Sequence, residues 1–323
     1  MRVPKKVTLT YNSLNNEKLN RKQVFIQCLI GLFIIALNLV FPSFFEQTRY
    51  LFLALVILVI GMPHGALDHF IDGEIEQWNP FTFNKKFYGW YLSAVAIYTL
   101  LWFFYPLFCF AFFMLITLYH FGQADAERFE WVGISKICIH FARGFTVVGL
   151  ILYGDLEYAS SVIESITNFN YQELSEAYFN TEITRWVIAG FYPLVFIIVG
   201  LLNHTKLKFF LTYLLDAIIV SLLFIYCDPV WAFGLYFGLW HSFNHVKVMI
   251  RFLRSREQEA DFTFFYKYSF AFSLLSYLGI LFIYNILDAF GSEELMVSLL
   301  FAVISVLTLP HMMVVQKMYS INS

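Results

Sequence analysis

Long apolar segments alternate with short polar connections along the whole chain. A helix needs about 20 mainly apolar residues to cross the hydrocarbon core of a bilayer. Ten segments of roughly this length can be marked out, at residues 24–41, 50–67, 88–105, 106–124, 134–153, 185–203, 209–227, 229–248, 264–287 and 294–315. Some adjoin directly at a proline, as at Pro106 and Pro229, and proline marks a break because it disrupts a helix interior. The pattern predicts an all-α, polytopic transmembrane helix bundle of about ten spans, within a range of eight to ten.

The basic residues of the connections predict the orientation of this bundle. Counted alternately, the connections on the side of the N-terminal segment hold most of the lysines and arginines, an excess that marks the cytoplasmic side. Both termini are therefore expected in the cytoplasm. Residues 1–23 would be a basic N-terminal segment, 24–315 one transmembrane catalytic bundle, and 316–323 a short tail. The connection 154–184 carries six acidic residues and no basic one, and is expected to be an external, solvated loop with some helix.

Composition narrows the class of protein. Hydrophobic residues make up 59% and charged residues 14%, against about 45–50% and 25% in soluble domains, which excludes an ordinary water-soluble enzyme. The net charge of −2 offers no basic field for nucleic acid. The four cysteines are far apart and form no CxxC pair, so they indicate isolated apolar side chains rather than a disulfide framework. Aromatic residues reach 20%, more ring surface than a membrane bundle needs.

Five of the eight histidines are predicted to lie at one depth. In the orientation above, His64, His120, His241, His245 and His311 come near the cytoplasmic ends of helices that run from outside to inside. Polar residues inside a membrane are costly and usually face the bundle interior. His241 and His245 are spaced i, i+4, which brings their Cβ atoms to about 5–6 Å on one helix face. Such a pair can ligate one metal. The other three are not expected to be ligands: His69, His140 and His204.

Several polar residues beside these histidines could support a metal site. Asp68 follows His64 by four residues, and either accepts the second ring N–H of a ligating histidine or begins a solvated loop. His311 could be a further ligand, a supporting donor or an interfacial residue. Further candidates for such support are Gln123, Asp125 and Asn244. Gly234 and Gly238 form a GxxxG pair that would let the helix of His241 approach the helices of His64 and His120.

Imidazole ligands suit zinc, copper, iron and nickel. A structural zinc site would favour cysteine, and the histidine motifs contain none. Four neutral histidines on an octahedral Fe(II) would leave two positions open for O₂ and water. The number of histidines therefore fits one metal ion better than a pair of them.

The four histidine motifs read PHGALD at 63–68, YHFGQAD at 119–125, WHSFNH at 240–245 and LPH at 309–311. In this order they resemble the motifs of the Brp/Blh family of membrane β-carotene 15,15′-dioxygenases. The resemblance implies Fe(II) held by His64, His120, His241 and His245, and oxidative cleavage of the central double bond of β-carotene by O₂ to two molecules of all-trans-retinal. It also implies an integral protein of a bacterial inner membrane that passes retinal to a rhodopsin apoprotein.

Two other classes of protein remain open on the residues alone. A di-iron lipid desaturase or hydroxylase also carries histidine motifs, but these are rich in HxxHH clusters, and this chain has one HxxxH. A metal or carotenoid transporter would line a path through both halves of the bilayer, and the outer half offers no histidine. Asp216 is the main buried carboxylate, with no evident basic partner in its segment.

The aromatic excess fits a rigid polyene substrate. A polyene about as long as the 30 Å bilayer core needs a channel of flat apolar walls. Aromatic residues close to the histidine motifs are the candidates for lining it: Tyr119, Phe121, Tyr236, Trp240 and Phe243.

Overall fold

A computed structural model describes residues 13–126, 131–288 and 293–322, and within these ranges the chain forms helices and no strand. The helices are α1 Ser13–Val40, α2 Pro42–Val56, α3 Met62–Gly65, α4 Asp68–Glu76, α5 Lys85–Phe104, α6 Pro106–Ala126, α7 Gly133–Tyr153, α8 Leu156–Thr167, α9 Tyr171–Tyr178, α10 Thr181–Leu202, α11 Leu207–Tyr226, α12 Pro229–Leu235, α13 Phe243–Ser255, α14 Phe262–Asp288 and α15 Glu293–Asn322. Two π-helical segments, Ile57–Gly61 and Tyr236–Ser242, join α2 to α3 and α12 to α13. The predicted all-α bundle is confirmed.

Among the described residues, nine helical segments are long and apolar enough to cross a membrane. They agree with the predicted segments except for 229–248. That segment does form a continuous helical stretch through α12, the second π-helical segment and α13, but it is not among the nine. Two histidines, Asn244 and the basic residues that follow interrupt its apolar run. The acidic connection 154–184 contains α8 and α9, so the helix expected within it is present.

Helices α6 and α7 touch backbone to backbone at two glycines. A Cβ atom on Gly122 would lie 1.9 Å from the carbonyl oxygen of His140, and one on Gly144 would lie 1.8 Å from that of Leu118. Only glycine allows so close an approach, as small residues do between membrane helices. Because Gly122 follows His120 by two residues, this contact fixes where His120 sits in the bundle.

The predicted GxxxG pair also works as a close-packing surface. A Cβ atom on Gly234 would lie 3.0 Å from the Phe52 ring, and one on Gly238 would lie 2.8 Å from a methyl group of Val56. Both contacts are with α2, the helix that leads to His64. The segment of His241 is thereby held against the segment of His64.

A buried ion pair ties three helices together behind the histidines. Arg143 on α7 lies 3.4 Å from an oxygen of Asp216 on α11, and both side chains are buried. The indole N–H of Trp240 donates to the other oxygen of Asp216 at 2.7 Å. The segment of Asp216 supplies no basic partner, as expected. Its partner comes from another helix, which the sequence of its own segment cannot reveal.

Candidate metal centre

The structure brings the five predicted histidines together from four parts of the chain. His64 lies on α3, His120 on α6, His241 and His245 on the second π-helical segment and α13, and His311 on α15. All five are buried. The ring centroids are 4.9 Å apart for His64 and His311 and for His120 and His241. The His245 ring lies 5.5 Å from that of His311 and 5.8 Å from that of His64. We call these five residues the histidine cluster.

The histidine cluster has the donor atoms that a metal ion needs. One ring nitrogen from each of His64, His120 and His241 lies within 4.8 Å of the others, and this buried group could hold a metal ion. Both ring nitrogens of His120 and the Nε2 atoms of His245 and His311 are buried without a hydrogen-bond partner. Buried polar atoms are normally hydrogen-bonded, so these nitrogens fit a centre whose missing partner is a cation.

Irregular helix geometry sets the direction of two of the histidines. The π-helical segment Ile57–Gly61 comes just before Pro63 and His64, and His241 lies inside the second π-helical segment. Such wider turns occur in short stretches, frequently at functional sites. The His241 and His245 rings lie nearly parallel, 9° apart in orientation, with centroids 6.2 Å apart. They face the cluster from one side, as the i, i+4 spacing predicted.

Asp68 is part of this centre and is not a solvated loop residue, since only 3% of it is exposed. One carboxylate oxygen lies 2.8 Å from Nδ1 of His311, and the other accepts a hydrogen bond from the Tyr91 hydroxyl at 3.0 Å. The helix breaks between His64 and Asp68, so Asp68 supports a histidine distant in sequence and not its neighbour. A similar contact holds His245, whose Nδ1 lies 3.4 Å from the Tyr319 hydroxyl.

Asn244 binds to α1 and does not touch the cluster histidines. Its side-chain oxygen accepts a hydrogen bond from Gln27 at 3.1 Å and also contacts Gln23. The neighbouring Phe243 stacks on Phe262, with ring centroids 5.7 Å apart. These residues thus fix the helix of His245 in place.

The remaining polar candidates lie apart from the cluster. Gln123 binds Gln316 at 2.8 Å, and the side chain of Asp125 lies outside the described part of the chain. His69 is buried and packs on Phe272, 4.7 Å between centroids. The other two histidines that were not expected to be ligands, His140 and His204, lie on α7 and in an exposed turn.

A largely apolar cavity of about 410 Å³ adjoins the histidine cluster. Four cluster histidines line it together with Asp68, and so do many aromatic rings. The volume lies in the range of small-molecule sites, about 300–1,000 Å³. Phe121 is among the lining residues, and its ring is 4.6 Å from that of His241. The lining histidines of the cluster are His64, His120, His241 and His311, and His69 lines the cavity as well.

Four of the five predicted lining aromatics do not line this cavity: Tyr119, Tyr236, Trp240 and Phe243. Trp240 is turned to Asp216 by its N–H bond, and Tyr119 is 42% exposed and donates to Gln316. Tyr236 lies behind Phe121, 5.5 Å between centroids. Adjacency in sequence misled here, because neighbours on a helix point about 100° apart.

Several residues that shape the centre carry no sequence signal. Tyr91 and Tyr319 reach the cluster from α5 and α15, and neither lies in a histidine motif. The aromatic residues of the cavity wall come from α5, α6, α12, α14, α15 and the second π-helical segment. Among them are Phe87, Tyr88, Phe233 and Phe272. Only the packing of the bundle selects these rings from the many others in the chain.

The fold and the site together define a class: a helical membrane protein with a buried histidine cluster that could hold a metal ion beside an apolar cavity. The family model described as beta-carotene 15,15′-dioxygenase matches residues 55–319. The chain therefore belongs to this family, as the histidine motifs suggested, and the match covers all five cluster histidines. No curated protein and no solved structure gives a significant match.

Proposed function

We propose that this protein uses Fe(II) and O₂ to cleave the central 15,15′ double bond of β-carotene into two molecules of all-trans-retinal. The observation that carries the proposal is the buried group of His64, His120 and His241, with ring nitrogens within 4.8 Å, on an apolar cavity in a chain of this family. Membership of the family supports a dioxygenase role and β-carotene as the substrate.

His64, His120, His241 and His245 would hold the iron. Neutral imidazole suits iron, and the unpartnered nitrogens of His120 and His245 agree with this assignment. Bound Fe(II) would supply the activation of O₂. His311 would be a further donor or a support for the centre, because its Nε2 also lies without a partner.

The reaction demands little proton transfer from the chain. Cleavage breaks one carbon–carbon double bond and gives one oxygen atom of O₂ to each carbon, so protons and electrons balance without another reactant. The cavity lining has few groups that could transfer a proton, which fits this reaction. Among the described lining residues the one carboxylate is Asp68, already engaged by His311 and Tyr91, and there is no lysine or arginine.

The task of the protein is then to position the double bond and to exclude water. Flat rings line the cavity beside the histidines, and the ring centroids of Phe121 and Phe237 lie 4.6 and 5.6 Å from that of His241. Their apolar faces suit a conjugated hydrocarbon chain. We further propose that the product retinal supplies a rhodopsin apoprotein, and that the chain lies in a bacterial inner membrane with both termini in the cytoplasm.

Metal analysis of the purified full-length chain tests the centre. One iron per chain, together with retinal formed from β-carotene and O₂, supports the proposal. Two irons per chain would instead indicate a desaturase-like site. Metal flux across proteoliposomes without cleavage would indicate a transporter.

A further inference from the structure

The cavity beside the histidine cluster is open on one side of the bundle. Among the described residues that line it, only Leu92 and Leu275 are largely exposed, by 60% and 66%. Leu92 lies on α5 and Leu275 on α14. A side chain that lines an internal cavity and also faces outward stands at its mouth. We call the gap marked by Leu92 and Leu275 the α5–α14 opening.

Aromatic rings and glycines border the α5–α14 opening. The Tyr88 and Phe272 rings stack across it, with centroids 6.1 Å apart and 26° between their planes, and both also line the cavity. A Cβ atom on Gly89 or Gly279 would meet nothing within 4 Å. Gly89 follows Tyr88, and Gly279 lies one turn after Leu275, so neither helix carries a side chain at these two exposed positions.

The surface around the opening is apolar, as expected for one that faces lipid. On α5 the residues that follow Leu92 along the outer surface include Leu100, which is 59% exposed, and on α14 Leu278 is 54% exposed. Both helices are long and apolar enough to cross a membrane. Tyr277 of α14 donates to the carbonyl oxygen of Leu58 at 2.5 Å, so α14 is attached on the side of the first π-helical segment. Its other side faces α5.

We propose that the α5–α14 opening is the route by which a long apolar polyene passes between the bilayer and the histidine cluster; this inference rests on the proposed function. Such a substrate is dissolved in hydrocarbon, and a path through water would expose its whole apolar surface. The opening joins the hydrocarbon directly to the cavity of His64, His120 and His241. Tyr88 and Phe272 are placed to lie along the flat chain as it passes.

Bulky substitutions at the mouth test the route. The variants Leu92→Trp and Leu275→Trp are compared with Leu100→Trp and Leu281→Trp, which place the same ring at exposed positions of the same helices that do not line the cavity. The full chain is reconstituted in liposomes that contain β-carotene, and the initial rate of retinal formation and the bound iron are measured. At limiting β-carotene, the two mouth variants should be slower than their controls by about tenfold or more, with unchanged iron, because passage becomes rate-limiting. Leu275→Ala, which widens the mouth, should keep at least the original rate.

Equal rates for mouth and control variants would overturn the route. A second readout separates this outcome from failure of the proposed function. The β-carotene that co-purifies with each variant after a short incubation in liposomes is extracted and quantified. If the original chain forms no retinal but takes up β-carotene, the cleavage proposal fails, and slower uptake by the two mouth variants alone still supports the route. If no variant differs in uptake, or if the chain takes up no β-carotene, the route is wrong.

Discussion

At the residue scale, the histidine cluster depends on which ring nitrogen carries the proton. A carboxylate can only accept a hydrogen bond, so Nδ1 of His311 donates to Asp68, at 2.8 Å. Nε2 of His311 is then left with a free lone pair and no partner. Such outer contacts orient metal-binding histidines and fix their tautomer. Asp68 thus prepares His311 to face the centre, whether His311 binds the metal or supports a ligand.

Asp68→Asn tests whether this hydrogen bond to His311 supports the metal centre. An amide can present its own N–H to Nδ1 and no longer holds the proton there, so metal retention should weaken by about 10–100-fold. The measurement is the iron that remains bound after dialysis against increasing chelator. Glu164→Gln, which alters an exposed carboxylate on α8, should have no effect. Equal retention by Asp68→Asn and the unchanged chain would contradict a role for Asp68 in the centre.

Loss of a proposed ligand should weaken metal binding more than Asp68→Asn does. His241→Ala removes one of the three nitrogens that lie within 4.8 Å of one another, and we expect iron retention and cleavage to disappear while the helical circular dichroism is kept. His204→Ala, in an exposed turn, is the matched control. A His241→Ala protein that binds iron as His204→Ala does would place the centre elsewhere.

The sequence predicted the histidine cluster but not all of its support. Loop charges set the orientation, which placed the five histidines at one depth. The sequence left two interpretations of Asp68 open, as a hydrogen-bond acceptor for a histidine or as the start of a solvated loop. The histidine that it binds, His311, lies 243 residues away. Tyr91 sits in a segment of mainly apolar and aromatic residues, so no pattern distinguishes it. Contacts of this kind are fixed by how helices pack and not by local spacing.

At the scale of elements, the contact of α6 and α7 controls the position of His120. The carbonyl oxygens of His140 and Leu118 occupy the space that a side chain on Gly122 or Gly144 would need. The sequence drew attention to Gly234 and Gly238, because they form a GxxxG pair on one helix. It did not single out Gly122 and Gly144, because each helix contributes one glycine to the contact.

Gly122→Ala and Gly144→Ala should push α6 and α7 apart. Overpacking of this kind costs about 1–3 kcal/mol and occasionally more, and here it also displaces His120. We expect a lower unfolding temperature in detergent and weaker iron retention. Gly190→Ala, where an added Cβ meets nothing within 4 Å, should change neither quantity. Normal iron retention in both α6–α7 variants would show that this contact does not set the site.

At the scale of the whole molecule, the buried pair of Arg143 and Asp216 holds α7 and α11 together, and Trp240 joins the second π-helical segment to them. Arg143 also lies over the rings of Tyr192 and Tyr236, 5.1 and 5.5 Å from their centroids. A charge in this place is costly unless it is paired. The pair therefore stabilises one arrangement of the helices around the histidine cluster.

Asp216→Leu should destabilise the fold by about 3–5 kcal/mol, because it removes the carboxylate that pairs with the buried charge of Arg143. The double variant Arg143→Met, Asp216→Leu should recover most of this loss, since apolar side chains replace both charges. Unfolding by denaturant in detergent measures both. A double variant as unstable as the single one would show that the pair itself is not the stabilising element.

The products formed from β-carotene test the proposed activity most directly. Purified full-length protein, supplied with Fe(II), O₂ and β-carotene, should yield two molecules of retinal for each β-carotene consumed, as measured by chromatography. Two aldehydes of unequal length would contradict cleavage at the central double bond. Iron-loaded protein that leaves β-carotene intact would contradict the proposed function as a whole.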